Sequence, residues 1–113
     1  MPNEVALKFL DDKITALQLI SQELGRMFLS TTDQTEARNI RGEVTNLNQV
    51  LFALESARNS LEATANEVPP PAPERIQNLT AVLQQLDSFV SGSQTIQIGL
   101  NFLTNVANGI RRS

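Results

Sequence analysis

The chain has no cysteine, histidine, tryptophan or tyrosine among its 113 residues. Without cysteine there are no disulfides and no thiolate metal sites. Without histidine the commonest general base and the commonest metal ligand are both missing. Without tryptophan or tyrosine the strongest base-stacking side chains are absent, which weighs against single-stranded nucleic acid as a partner. Charge is sparse too, with 9 bases and 12 acids for a net charge of −3. Residues 31–68 supply the acidity and the last segment is slightly basic, so no basic footprint for nucleic acid forms anywhere. No uninterrupted apolar run is long enough for a membrane span. The start, Met1-Pro2-Asn3-Glu4, lacks the basic and apolar regions of a secretory signal. A cytoplasmic location is therefore favoured over non-classical export.

What is abundant is the uncharged polar group. Asn, Gln, Ser and Thr total 36 residues against 21 charged ones. They concentrate in Ser88 to Ile110, which carries no charge over 23 residues. That stretch is too polar to span a bilayer and too uncharged for an ordinary solvated helix face.

Apolar periodicity dominates the rest. In residues 3–29, Leu7, Leu10, Ile14, Leu17, Ser21, Leu24 and Phe28 recur at alternating steps of three and four, lining one helical face. Phe9, Ala16, Ile20 and Met27 widen that face as a helix inside a bundle requires. After a short break at Ser30-Thr31-Thr32, Asp33 followed by Glu36 reads as a capping box. A second helix, 33–67, carries Ala37, Ile40, Val44, Leu47, Leu51, Leu54, Arg58, Leu61, Ala65 and Val68 in the same rhythm. The prolines at 69, 70, 71 and 73 stop it. A third helix, 74–110, has its seam at Leu79, Val82, Leu86, Phe89, Ser93, Ile96, Leu100, Leu103, Ala107 and Ile110. Its phase persists through Ser91-Gly92-Ser93, which favours one continuous helix. Strand-like alternation at Ile96, Ile98, Leu100 and Phe102 competes with helix, but a lone strand would leave its backbone unpaired.

The expectation is therefore all-α: an antiparallel three-helix bundle in one domain, 1–113, patterned like a coiled coil. Its second and third helices would form a hairpin through the Pro-rich turn 68–73. Pairing across the first break places Arg58 near Glu4 and Ser21 near Arg41. Pairing across the second places Asn48 near Ser93. The polar seam residues Ser21, Arg58 and Ser93 would thus fix register. The same arithmetic projects the ends of helices two and three beyond helix one, leaving Leu61, Ala65, Val68, Ile76 and Leu79 at an uncovered tip.

Ile98, Phe102 and Val106 lie off the third seam and give that helix a second apolar face, a candidate interface. Glycines 92, 99 and 109 suit close helix approach. No catalytic, cofactor-binding or metal-binding set can be assembled, and no small-molecule substrate is evident. The functional expectation is a non-enzymatic interaction or assembly protein: a scaffold or accessory subunit that self-associates or docks a partner helix through its third helix. The alternative is a membrane-active or membrane-associated protein that uses the uncharged amphipathic segment 88–110. Arg111 and Arg112 complement the dipole at the end of that helix, and two arginines are a weak membrane anchor.

Overall fold

The computed structural model describes residues 3–64, 66–89 and 95–113. Among them the fold is all-helical, with α1 at Glu4–Ser30, α2 at Gln34–Ala63, α3 at Pro73–Asp87 and α4 at Ile96–Arg112. The expected third helix is thus two helices, and the three-helix arrangement is replaced by one of four. The strand-like alternation is resolved as helix, because Ile96 to Phe102 belong to α4.

The turn between α1 and α2 follows the sequence signal. Thr31 turns extended and its N–H donates to the Met27 carbonyl. Asp33 Oδ1 accepts from the Glu36 N–H at 2.9 Å, and Thr31 Oγ1 donates to Glu36 Oε1 at 2.8 Å. The first bond satisfies a backbone N–H that the start of a helix leaves orphaned, and the second holds the Glu36 side chain back toward the turn. The two helices lie antiparallel, with Arg58 meeting Asp11 at one end and Arg41 lying over the Phe28 ring at the other. Both contacts are seven residues along α1 from the levels expected, which were Glu4 and Ser21. Seven residues are about two helical turns, so the slip moves the level by roughly 10 Å and leaves the same faces in contact. Periodicity sets the face; it does not set the level.

That slip removes the projecting tip. Asn3 Nδ2 donates to the Asn66 carbonyl at 3.1 Å, and its Oδ1 accepts from the Val68 N–H at 3.0 Å. The end of α2 is therefore level with the start of α1. Asn3 occupies the cap position of α1 but makes no cap bond, its side chain being engaged with the passing chain.

The expected hairpin between helices two and three does not form. After Ala63 the chain is extended, with Thr64 at φ −81°, ψ 141° and Ala72 at φ −57°, ψ 143°. A polyproline-type segment advances about 3.1 Å per residue, roughly twice the rise of a helix. The prolines thus act as a strap beside α1, flanking Ala6 and Leu10, rather than as a tight turn. Among the described residues α3 packs on α1 and α4 and not on α2, whereas α4 packs on both α1 and α2.

The end of α3 is built from local bonds. Ser88 Oγ donates to the Gln85 carbonyl and the Phe89 N–H to the Leu86 carbonyl. Thr95 Oγ1 then accepts from the Ile98 N–H at 3.3 Å and caps α4. Ser91-Gly92-Ser93, where continuity was expected, lies outside the described residues, as does the Asn48–Ser93 pairing. α3 and α4 run antiparallel, since Arg75 reaches Ser113 at one end while Phe89 stacks on Phe102 at the other, 5.2 Å between centroids. A continuous seam phase is compatible with this fold, because each half of the pattern lines its own helix. The core is centred on α1, where Leu17, Ile20 and Leu24 are fully buried, joined by Ile40 and Leu47 of α2 and by Leu103, Val106 and Ile110 of α4.

Gly109 bears out the close-approach reading. A Cβ placed there would sit 2.9 Å from Val82 Cγ2. Val82 is β-branched and has little rotamer freedom to retreat. Gly109→Ala is therefore expected to lower unfolding free energy by about 1–3 kcal/mol despite its gain in helix propensity. Nothing lies within 4 Å of a Cβ built at Gly25 or Gly42. Alanine there is expected to raise stability by up to about 1 kcal/mol. Urea unfolding of the three variants measures this, and equal behaviour at all three positions would contradict the packing.

Candidate interaction surface

The residues expected to form an interface separate into three groups. Ile98, in the first turn of α4, is 58% exposed. Phe102, one turn on, is half-buried and stacked on Phe89, so its outer edge alone faces solvent. Val106 is 2% exposed and belongs to the core. The second face expected of the third helix therefore shrinks to its first turns, because α3 folds back and covers the rest.

The tip residues follow the same logic. Leu79 is 2% exposed and Ile76 packs against the core, both on the side of α3 that meets Val5 and Phe9. They are used within the chain, which overturns the uncovered tip. Leu61 and Val68 are half-buried, and Ala65 lies outside the described residues. In the polar seam, Ser21 is half-buried and Ser93 lies outside the described residues. Arg58 donates through Nε to Asp11 Oδ1 at 2.7 Å and through Nη1 to Glu62. The hydrogen bond from Asp11 and its charge, followed by the charge of Glu62, push the Arg58 guanidinium still further above its ordinary value. This pair fixes the level of α2 against α1 and lies at the rim.

α2 presents the broadest incompletely covered flank. Only Ile40, Leu47 and Leu51 of its 30 residues are buried. Val44, Val50 and Leu54 are partly buried against the core, and Phe52 points away from it, 73% exposed. At the far end Gly25, Phe28, Ile40 and Val44 enclose an apolar notch of about 200 Å³ with Arg41 at its edge. In contrast, the apolar face of α4 is spent inside the bundle, where Leu100, Leu103, Ala107 and Ile110 are all buried. No helix among the described residues is long and apolar enough to cross a membrane.

One cluster was missed by the sequence reading. Lys13 is only 6% exposed, and its Nζ donates to the main-chain oxygen of Ser113 at 2.8 Å. Arg75 Nη2 donates to the same oxygen at 2.9 Å. Both cations lie over the Phe9 ring, Lys13 Nζ at 5.3 Å and Arg75 Cζ at 5.4 Å from its centroid. The arrangement ties α1, the first turn of α3 and the end of α4 together. The signal was present: Lys13 is four residues from Phe9 and three from Ala16, in the phase of the core.

Burial, and secondarily the charge of Arg75, lower the Lys13 pKa below 10.5. The unfolded chain then binds more protons than the folded one between that lowered value and 10.5, so stability rises with pH across this window. With no cysteine, tyrosine or histidine titrating nearby, the effect is open to measurement. The urea midpoint is expected to climb as the pH rises toward 10.5, and Lys13→Met is expected to abolish the climb. An identical climb in the variant would show that Lys13 is not the group responsible.

No protein-family model matches the chain, and neither a curated protein nor a solved structure is significantly similar to it.

Proposed function

We propose that the chain is a non-enzymatic assembly protein that self-associates through the outer flank of α2 and the first turns of α4. Among the described residues five large apolar side chains are left at the surface, Val5, Leu19, Leu29, Phe52 and Ile98. The observation that carries this reading is the exposure of two of them, Phe52 on α2 at 73% and Ile98 on α4 at 58%. Single exposed apolar residues are ordinary on any protein. Phe52, however, lies about 80° round the helix from Val44, which is itself only half-covered. A second helix laid along that side of α2 would bury both. Aromatic anchors of this kind dominate the energetics of helical interfaces.

Sedimentation equilibrium tests the reading. An oligomer is expected at micromolar concentration, and Phe52→Glu and Ile98→Glu are each expected to weaken it by about tenfold to a hundredfold. The helical circular dichroism of both variants should match the parent chain, since neither residue is in the core. A monomer persisting to about 500 µM would overturn self-association. Loss of helicity in the variants would instead place these residues in the core.

A further inference from the structure

The outer side of α2 carries a pattern that is self-complementary about Asn48. Val44 and Phe52 lie four residues to either side of it, and Arg41 and Glu55 lie seven to either side, so apolar answers apolar and a base answers an acid. At about 100° per residue the five positions fall within an arc of about 80°. Arg41, Asn48, Phe52 and Glu55 are exposed there, and Val44 is half-buried. Among the described residues neither Arg41 nor Glu55 has an ion-pair partner, whereas Arg58 is held by Asp11 and Glu62.

We infer that α2 pairs antiparallel with α2 of a second copy, about a twofold axis through Asn48. This pairing rests on the self-association proposed above and adds its direction and register. Charge carries it furthest. An antiparallel partner brings each Arg41 level with the other copy's Glu55, because both lie roughly 10 Å from Asn48 at 1.5 Å per residue. Twofold symmetry makes that contact twice. A parallel partner would set Arg41 against Arg41 and Glu55 against Glu55, and like charges across an interface are costly. The apolar groups agree with the same register. Each Phe52 comes level with the other copy's Val44, beside the notch of about 200 Å³ that Phe28, Ile40 and Val44 help to line. An apolar cavity of about 150 Å³ accommodates benzene, so the notch has room for the ring. Arg41 is also pre-positioned, its guanidinium lying over the Phe28 ring at 5.2 Å from the centroid. Stacking uses the face of the guanidinium and leaves its N–H edge for a carboxylate. On the axis, the Asn48 amide can both donate to and accept from its counterpart, and a covered asparagine pair specifies register at some cost in stability.

Sedimentation equilibrium at low ionic strength tests the pairing. Arg41→Glu and Glu55→Arg are each expected to weaken association by about tenfold, since each turns two attractions into repulsions. The double exchange, Arg41→Glu with Glu55→Arg, is expected to restore the affinity to within about threefold of the parent chain. In a parallel pair neither single change would weaken association. Direction is read separately by crosslinking, as the chain has no cysteine of its own. Under oxidation Asn48→Cys is expected to form a disulfide-linked dimer. Ser56→Cys is expected not to, because its two copies would lie about 24 Å apart along the axis. An oligomer undiminished by both single changes, or one that crosslinks as readily through position 56 as through 48, would overturn the antiparallel register and leave self-association standing. A monomer at every concentration would remove both.

Discussion

Burial of α1 is the constraint that the other elements answer to. Among the described residues it packs against each of the other three helices, as α4 also does, and it contributes the largest share of buried residues. Leu17, Ile20 and Leu24 at its middle have lost all contact with water. At roughly 25 cal/mol per Å², fully burying such side chains is worth about 1.5–3 kcal/mol each. An apolar arc as wide as this one cannot be covered by a single neighbour. α2 covers one side, α4 covers the next, and α3 reaches only the N-terminal part, along Val5, Phe9 and Asp12. The strap exists because α3 must get to that side from the far end of α2.

The same constraint accounts for the imbalance of α2. Once α4 takes the position beside α1 that a long third helix was expected to share with α2, α2 is left with one flank thinly covered. It nevertheless stays helical over 30 residues. Its capping bonds at Asp33 and Thr31, and the ion pair from Arg58 to Asp11, fix its start and its far end against α1. It is a long amphipathic helix held at both ends and open along its side.

Sequence periodicity revealed the class, the first break and its cap, the helical start after the prolines, within one residue, and most of the core, because each depends on residues a few positions apart. What it could not reveal was relative position in space. The two-turn slip between α1 and α2 is invisible to a pattern that repeats every seven residues. The reversal between α3 and α4 was masked by a shared phase, although Thr95 before an apolar run was a legible cap. Val106 and Leu79 were assigned to a surface because the bundle was given three helices; with the third split in two, Val106 of α4 turns into the core and Leu79 of α3 lies on the side that meets Val5 and Phe9 of α1. Lys13 and Arg75, 62 positions apart, meet only through tertiary structure, so nothing local could have paired them. Ile98 is the part of the expected interface that remained exposed.

The heptad slip has a further consequence. To its apolar seam, the hairpin of α1 and α2 is a ruler with similar marks. Sliding one helix by a whole repeat keeps the same faces in contact, setting Leu17 where Leu10 stood and Leu24 where Leu17 stood, although Ser21 then replaces Ile14. Discrimination between neighbouring marks falls to a handful of unlike residues: Arg58 against Asp11, Arg41 over Phe28, and Asn3 clasping the chain at Asn66 and Val68. These groups contribute little to the depth of the energy well. They decide which of several similar wells the chain occupies, so in this protein the polar minority encodes position while the apolar majority supplies adhesion.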